Sequence, residues 1–248
     1  MPNSVDLSIL HEDNAVIAVN KPSGLLSVPG RVIKDSVATR VSRHVKADRV
    51  DKLICHRLDQ MTSGVMLFAK TDEAQRDIYE QFRKKKVRKR YAAVVDGLTH
   101  CCEGEIRLPL VKDYANPPTS RVDWRLPSDD DNRADTSAPA GVKTAKSKRS
   151  ITLWRVLRIF PDINASLLEL TPITGRSHQL RVHLSAIGHP ILGDDFYAPR
   201  EAADRAPRLM LHAHTLELTH PVTTAPLHLC ADATDIAEWL RGHACCDG

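Results

Sequence analysis

The sequence predicts an α+β fold, a mixed and largely antiparallel sheet with flanking helices. Three observations point there: short apolar runs bounded by Gly, Pro and polar residues, an excess of these runs over helical patterns, and their arrival in succession instead of strict strand-helix alternation. With 248 residues and 42% hydrophobic side chains, the chain has enough apolar material for a sizeable core.

The strand candidates, in order, are AVIAV (Ala15 to Val19), VMLFA (Val65 to Ala69), YAAVV (Tyr91 to Val95), ITLWRVLRIF (Ile151 to Phe160), SLLEL (Ser166 to Leu170) and LMLHAHTLEL (Leu209 to Leu218). A first helix is expected over Asp72 to Lys86, where Ala74, Ile78 and Phe82 recur every four residues and Thr71 or Asp72 can cap the start. A second should begin at Ser177 as N-cap, carry Leu180, Leu184 and Ile187 on one face, and stop at Gly188. A third, Asp232 to Arg241, has Ile236, Trp239 and Leu240 as its apolar side. The stretch Pro127 to Ser150 is polar, acidic first and basic last, without apolar periodicity, and reads as a mobile loop inserted between strands. One domain over residues 1–248 is expected.

Composition narrows the function classes. A net charge of +4, from 35 basic and 31 acidic side chains, does not by itself imply a polyanionic partner, so the distribution of charge matters more. No basic leader with an apolar core opens the chain, and no apolar run approaches the ~20 residues of a bilayer span. A soluble, cytoplasmic protein is expected. The cysteines, Cys55, Cys101, Cys102, Cys230, Cys245 and Cys246, include two adjacent pairs, poor material for a disulfide framework or a zinc site, and read as reduced thiols. Neither a dinucleotide fingerprint nor a phosphate loop is present.

The run HRLDQMTSG, His56 to Gly64, places one carboxylate, Asp59, two residues after Arg57 and just before a turn. Alone, such an acid reads first as a structural ion pair with Arg57. Its company is what matters: NKPSGLLSVPGR (Asn20 to Arg31), the basic run ending in Tyr91, PITGRSHQLRVHLSAIGHPILGDDFYA (Pro172 to Ala198) and APRLMLHA (Ala206 to Ala213) follow in order along nearly the whole chain. Taken together these motifs resemble the RluA family of pseudouridine synthases, which detach uracil from its ribose, turn it and rejoin it through carbon 5.

The resemblance implies the pseudouridine synthase catalytic fold, with Asp59 as the essential acid. A fixed carboxylate can stabilise oxocarbenium charge on the sugar, bond to the anomeric carbon or remove the neighbouring 2′ proton, and the residues do not choose among these. Arg181 is implied as the cation beside Asp59. Tyr91 is implied to stack on the flipped uracil and assist proton loss from carbon 5, and Arg57 to fill the space the base vacates. Tyr91 follows a stretch, Arg83 to Arg90, in which seven of eight residues are basic. We read its Lys84, Lys85, Lys86 and Arg88 as a phosphate track extended by Lys21, Arg31 and Arg176. The Lys-Pro of NKPSG is implied to build scaffold beneath the site.

Within the family, SVPGR, APRLMLHA and the lack of a small N-terminal RNA-binding domain fit the subgroup acting on a transfer RNA anticodon stem-loop and on large-subunit ribosomal RNA. A monomer without cofactor, metal or membrane contact is expected. The Pro127 to Ser150 insertion and the Cys245-Cys246 tail depart from the family and put substrate range in question. Two rivals stand beside this reading. His178, His183, His189, His212 and His214, within 37 residues, together with Asp59 suggest a metal-dependent hydrolase, although no zinc spacing is matched. The positive surface alone suits a non-enzymatic RNA-binding protein.

Overall fold

The computed structural model describes residues 7–125 and 146–243. In chain order the strands are β1 (Ser8–Glu12), β2 (Val16–Lys21), β3 (Ser63–Ala69), β4 (Arg88–Asp96), β5 (Glu103–Arg107), β6 (Leu110–Lys112), β7 (Ser120–Val122), β8 (Ile151–Phe160), β9 (Ala165–Pro172), β10 (Leu211–Thr219) and β11 (Pro226–Cys230). The helices are α1 (Val37–His44), α2 (Asp72–Arg83), α3 (Gln179–Ala186), α4 (Arg200–Ala203) and α5 (Thr234–His243). Two compact units result, the first from residues up to Tyr91 with Leu211–Thr234, the second from Ala92–Met210 with the chain after Asp235.

In the first unit β2 pairs antiparallel with both β1 and β3, β3 runs parallel to β10 over Ser63 and Gly64, and β11 closes antiparallel on β10. Both faces of β2 and β3 are covered, which is why their sequences are continuous apolar runs. Ile17, Val19, Met66 and Phe68 point to one side and pack with Val37, Ala38 and Val41 of α1. Val16, Ala18, Val65 and Leu67 point to the other, against Ala74 and Ile78 of α2, with Phe82 at the margin. Burying each large side chain contributes about 1.5–3 kcal/mol. α2 starts where expected, with the Thr71 hydroxyl accepting from the Ala74 amide at 3.2 Å.

The chain passes into the second unit along β4. There the sheet order is β4, β9, β8, β5, with β8 antiparallel to β9 and to β5, while β6 and β7 form a separate antiparallel pair. The fold is therefore mixed and largely antiparallel, as the apolar runs implied. α3 seats Val182 among Leu110 and Val122.

Three expectations need correction. α3 begins at Gln179, and its capping position is His178, left-handed at φ 57° and without a side-chain cap, instead of Ser177. Tertiary bonds anchor the helix start instead: the Gln179 side chain donates to Ile151 O (2.9 Å) and Thr152 Oγ1 (3.0 Å) and accepts from Thr174 Oγ1 (2.7 Å) and the Arg176 amide (3.1 Å). The C-terminal helix runs two residues later than expected, Thr234–His243. Helix α1 was not anticipated at all. The inserted stretch lies outside the described residues as far as position 145, and so does the Cys245-Cys246 tail; Lys148, near the stretch's end, bridges Leu110 in both directions (2.8 and 2.9 Å).

Candidate active site

Asp59 sits half-buried on the loop between Ile54 and β3, and the backbone groups on either side of it, from Leu58 to Thr62, are bonded by the NKPSGLLS segment. Ser27 Oγ donates to Leu58 O (2.6 Å) and accepts from the Leu58 amide (3.0 Å). Gln60 O accepts from Lys21 Nζ (2.7 Å) and the Gly24 amide (3.0 Å), while the Gln60 side chain donates to Gly24 O (2.9 Å). Met61 O accepts from Ser23 Oγ (2.7 Å), and Thr62 O from Lys21 Nζ (2.8 Å). A turn bond from the Thr62 amide to Asp59 O (3.2 Å) completes the set. Because these groups are satisfied within the protein, the loop presents the Asp59 side chain from a fixed backbone.

His56 braces the same loop from the other side. Its Nε2 accepts the Leu67 amide (2.9 Å) and its ring stacks on Phe82 with centroids 4.9 Å apart. Burial, with the Lys89 charge adding to it, lowers its pKa to about 3, so it is a neutral anchor.

Tyr91 lies on β4, and the structure brings it together with Asp59. Burial first, then the negative charge of Asp59, pushes the Tyr91 hydroxyl above its ordinary range. It is a neutral phenol throughout the working range of an enzyme. Next to it, Arg90 pairs with Glu217 at 2.5 Å.

Arg181 belongs to the second unit, buried on α3. Asp194 accepts from it through both oxygens, at 2.8 and 2.6 Å, and also from the amides of Phe196 (3.0 Å) and Tyr197 (3.2 Å). The Arg181 guanidinium carbon stands 5.0 Å from the Tyr197 ring centroid and 5.2 Å from that of Phe196. Sequence reasoning passed over Asp194 and Tyr197; the only signal was their place inside GDDFYA. Gly193, at φ 74°, has the Arg208 carbonyl oxygen 1.9 Å from where a Cβ would lie, so this turn accepts only glycine.

Of the expected phosphate contacts, Arg31, Lys84, Lys85, Lys86, Arg88 and Arg176 are exposed. Arg57 is exposed too, with no ion-pair partner among the described residues. Lys21 keeps the scaffold role implied for NKPSG but is corrected as a phosphate contact: it is fully buried, and its ammonium donates to the carbonyls of Pro22 (2.9 Å), Gln60 and Thr62. A lysine that supports the loop from beneath cannot reach a phosphate.

The histidine grouping does not form a ligand set. Among the described residues no group of three or more His, Cys, Asp or Glu side chains is placed to hold a metal ion. His183 spends both ring nitrogens on Thr152 Oγ1 and Leu108 O, and His212 on Ser63 Oγ and Ala231 O. No helix among them is long and apolar enough to cross a membrane.

Comparison with known proteins agrees with this geometry. The family described as RNA pseudouridylate synthase matches residues 15–186. The chain is 45% identical over 223 residues to the dual-specificity RNA pseudouridine synthase RluA of Escherichia coli (strain K12), covering 89% of this chain and 90% of that one. It is 41% identical to the RluA of Haemophilus influenzae over 219 residues, 88% and 89% of the two chains. Among solved structures it is similar to human RNA pseudouridylate synthase domain containing 1 (TM-score 0.72, 27% identity, 94% of this chain and 86% of that one) and to domain containing 4 (0.70, 26%, 94% and 91%). A preset acidic loop beside a neutral tyrosine, matched by relatives over nine-tenths of its length, places this chain in the RNA pseudouridylate synthase family.

Proposed function

We propose that this enzyme isomerises uridine to pseudouridine in both large-subunit ribosomal RNA and a transfer RNA anticodon stem-loop, as the dual-specificity naming of its relatives suggests. The observation that carries the catalytic assignment is the Asp59 loop, held by bonds from Lys21, Ser23, Gly24 and Ser27 and set against Tyr91. A carboxylate fixed in this way is preorganised for positive charge developing on the ribose. Arg181, its fork filled on one side by Asp194, is the catalytic cation that the family resemblance assigns. Tyr91, as a neutral phenol, stacks on the uracil and meets it with an O–H instead of a phenolate. Arg57, exposed and free of a described ion pair, enters the helix in place of the flipped base. The family match spans both units, which favours one catalytic domain; a monomer of 27.6 kDa working in the cytoplasm completes the reading.

The test is incubation with uridine-containing ribosomal and transfer RNA fragments in the presence of a chelator. New pseudouridine is expected from the wild type and none from Asp59→Asn, with RNA affinity nearly unchanged in the variant. Residual turnover within roughly tenfold of wild type would remove Asp59 from the chemistry. Metal-dependent cleavage would instead favour a hydrolase, and binding without turnover an RNA-binding protein.

A further inference from the structure

We propose that Phe196 is a stacking platform for a nucleobase of the RNA other than the target uracil, a role that rests on the synthase reading. Phe196 is 52% exposed, and it is nevertheless fixed in place. Asp194 accepts its amide at 3.0 Å, and the turn before it is set by Gly193. The guanidinium of Arg181 lies against the ring at 5.2 Å, holding it by a cation–π contact. The His178 ring lies only 20° from parallel to it, with centroids 6.1 Å apart, and His178 is in turn bonded through Nδ1 to the Tyr197 hydroxyl at 2.7 Å. Two aromatic rings with near-parallel planes, tied to a buried cation, form a preorganised surface that needs little ordering when a planar ligand arrives.

The charges nearby select the kind of partner. Arg176, two residues before His178, is exposed and suited to a phosphate. Asp195, the exposed residue preceding Phe196 in the chain, is a group that repels a phosphate but accepts from the amino group of a base. A base on the ring with its backbone toward Arg176 satisfies both. An aromatic-base stack of this kind is sequence-tolerant, so it suits an enzyme that handles more than one RNA.

The experiment compares Phe196→Leu and Phe196→Trp with wild type, using a uridine-containing anticodon stem-loop as probe. Phe196→Leu keeps apolar cover over Arg181 and removes the π face, so Kd and KM should rise roughly tenfold while kcat at saturating RNA stays within about twofold. Phe196→Trp should restore affinity, and in an Asp59→Asn background its added fluorescence should be quenched by the RNA. If Phe196→Leu lowers kcat with Kd unchanged, the ring only positions Arg181 and the proposal is overturned. Unchanged kinetics, or added indole fluorescence in Phe196→Trp that the RNA does not quench, overturns it as well, and leaves the face to a protein partner. Should Phe196→Leu unfold, the quenching in Phe196→Trp decides alone. Because Kd and quenching are read without turnover, a wild-type enzyme that makes no pseudouridine would sink the synthase reading and leave the stacking result standing.

Discussion

Gly64 shows how one residue of the HRLDQMTSG signature serves geometry instead of chemistry. It takes φ 113°, and a Cβ there would lie 2.2 Å from the carbonyl oxygen of Ala213 on the parallel neighbour strand. Gly64→Ala should therefore cost about 3 kcal/mol or more, from strain and clash together. A thermal midpoint equal to wild type would show that β3 and β10 yield more easily than their contact implies. Tyr91→Phe tests the phenol beside Asp59: the stacking face survives and the O–H is lost. RNA affinity should stay nearly level while kcat falls by tenfold or more, on the order of the usual worth of one proton-handling group. Equal kcat would confine Tyr91 to stacking.

The turn between α2 and β4 carries the densest charge. Glu80 pairs with Arg83 (2.6 Å) and more loosely with Lys84 (3.7 Å), and Lys84, Lys85 and Lys86 are exposed around a left-handed turn at Lys85. Replacing these three lysines by Ala should flatten the salt dependence of RNA binding by roughly two units in log affinity against log salt, if at least two meet phosphate. Maximal rate at saturating RNA should largely recover, since phosphate contacts position without entering bond breaking. An unchanged slope would make the run a solvated helix end. The amphipathic elements were legible from sequence because period and burial coincide, as in α2. α1 was not, because its capping box uses Ser36 with Thr39 where a Glu or Gln is the usual signal, and its eight residues are too short for periodicity to stand out.

Taken whole, the molecule should lose stability in acid. Burial lowers the pKa of His56 to about 3 and of His183 to about 4, from an ordinary value of 6.5. Both contribute stability that is present above about pH 6.5 and lost as pH falls toward their folded values, because only the unfolded chain binds the proton in between. Asp13 extends the loss: burial opposes its ionisation, but hydrogen bonds from His11, the Val16 and Ala15 amides and His220 outweigh it and hold its carboxyl well below the usual range. Its share is present above about pH 4 and falls away below. The melting temperature should thus drop between about pH 7 and 5, and His183→Gln should flatten that part of the curve. A flat wild-type profile would mean these rings stay accessible to protons in the folded state.

By itself the sequence determined the class of the fold and the family, because apolar runs must be buried whatever covers them and a set of motifs in fixed order is legible before the chain folds. Tertiary structure decided which neighbours the motif residues have. Lys21 was legible both as scaffold beneath the site and as one more phosphate contact, and only the first holds, because Gln60 and Thr62, 39 and 41 residues away, take up its ammonium. Asp194, unassigned from sequence, holds Arg181 through a two-oxygen contact across 13 residues. The five clustered histidines looked like ligands, yet those most buried are hydrogen-bonding core residues. The physical reason is the same each time: a charge or ring in sequence has no partner until the backbone closes, and in a low-dielectric interior the partner decides whether that group is scaffold or chemistry.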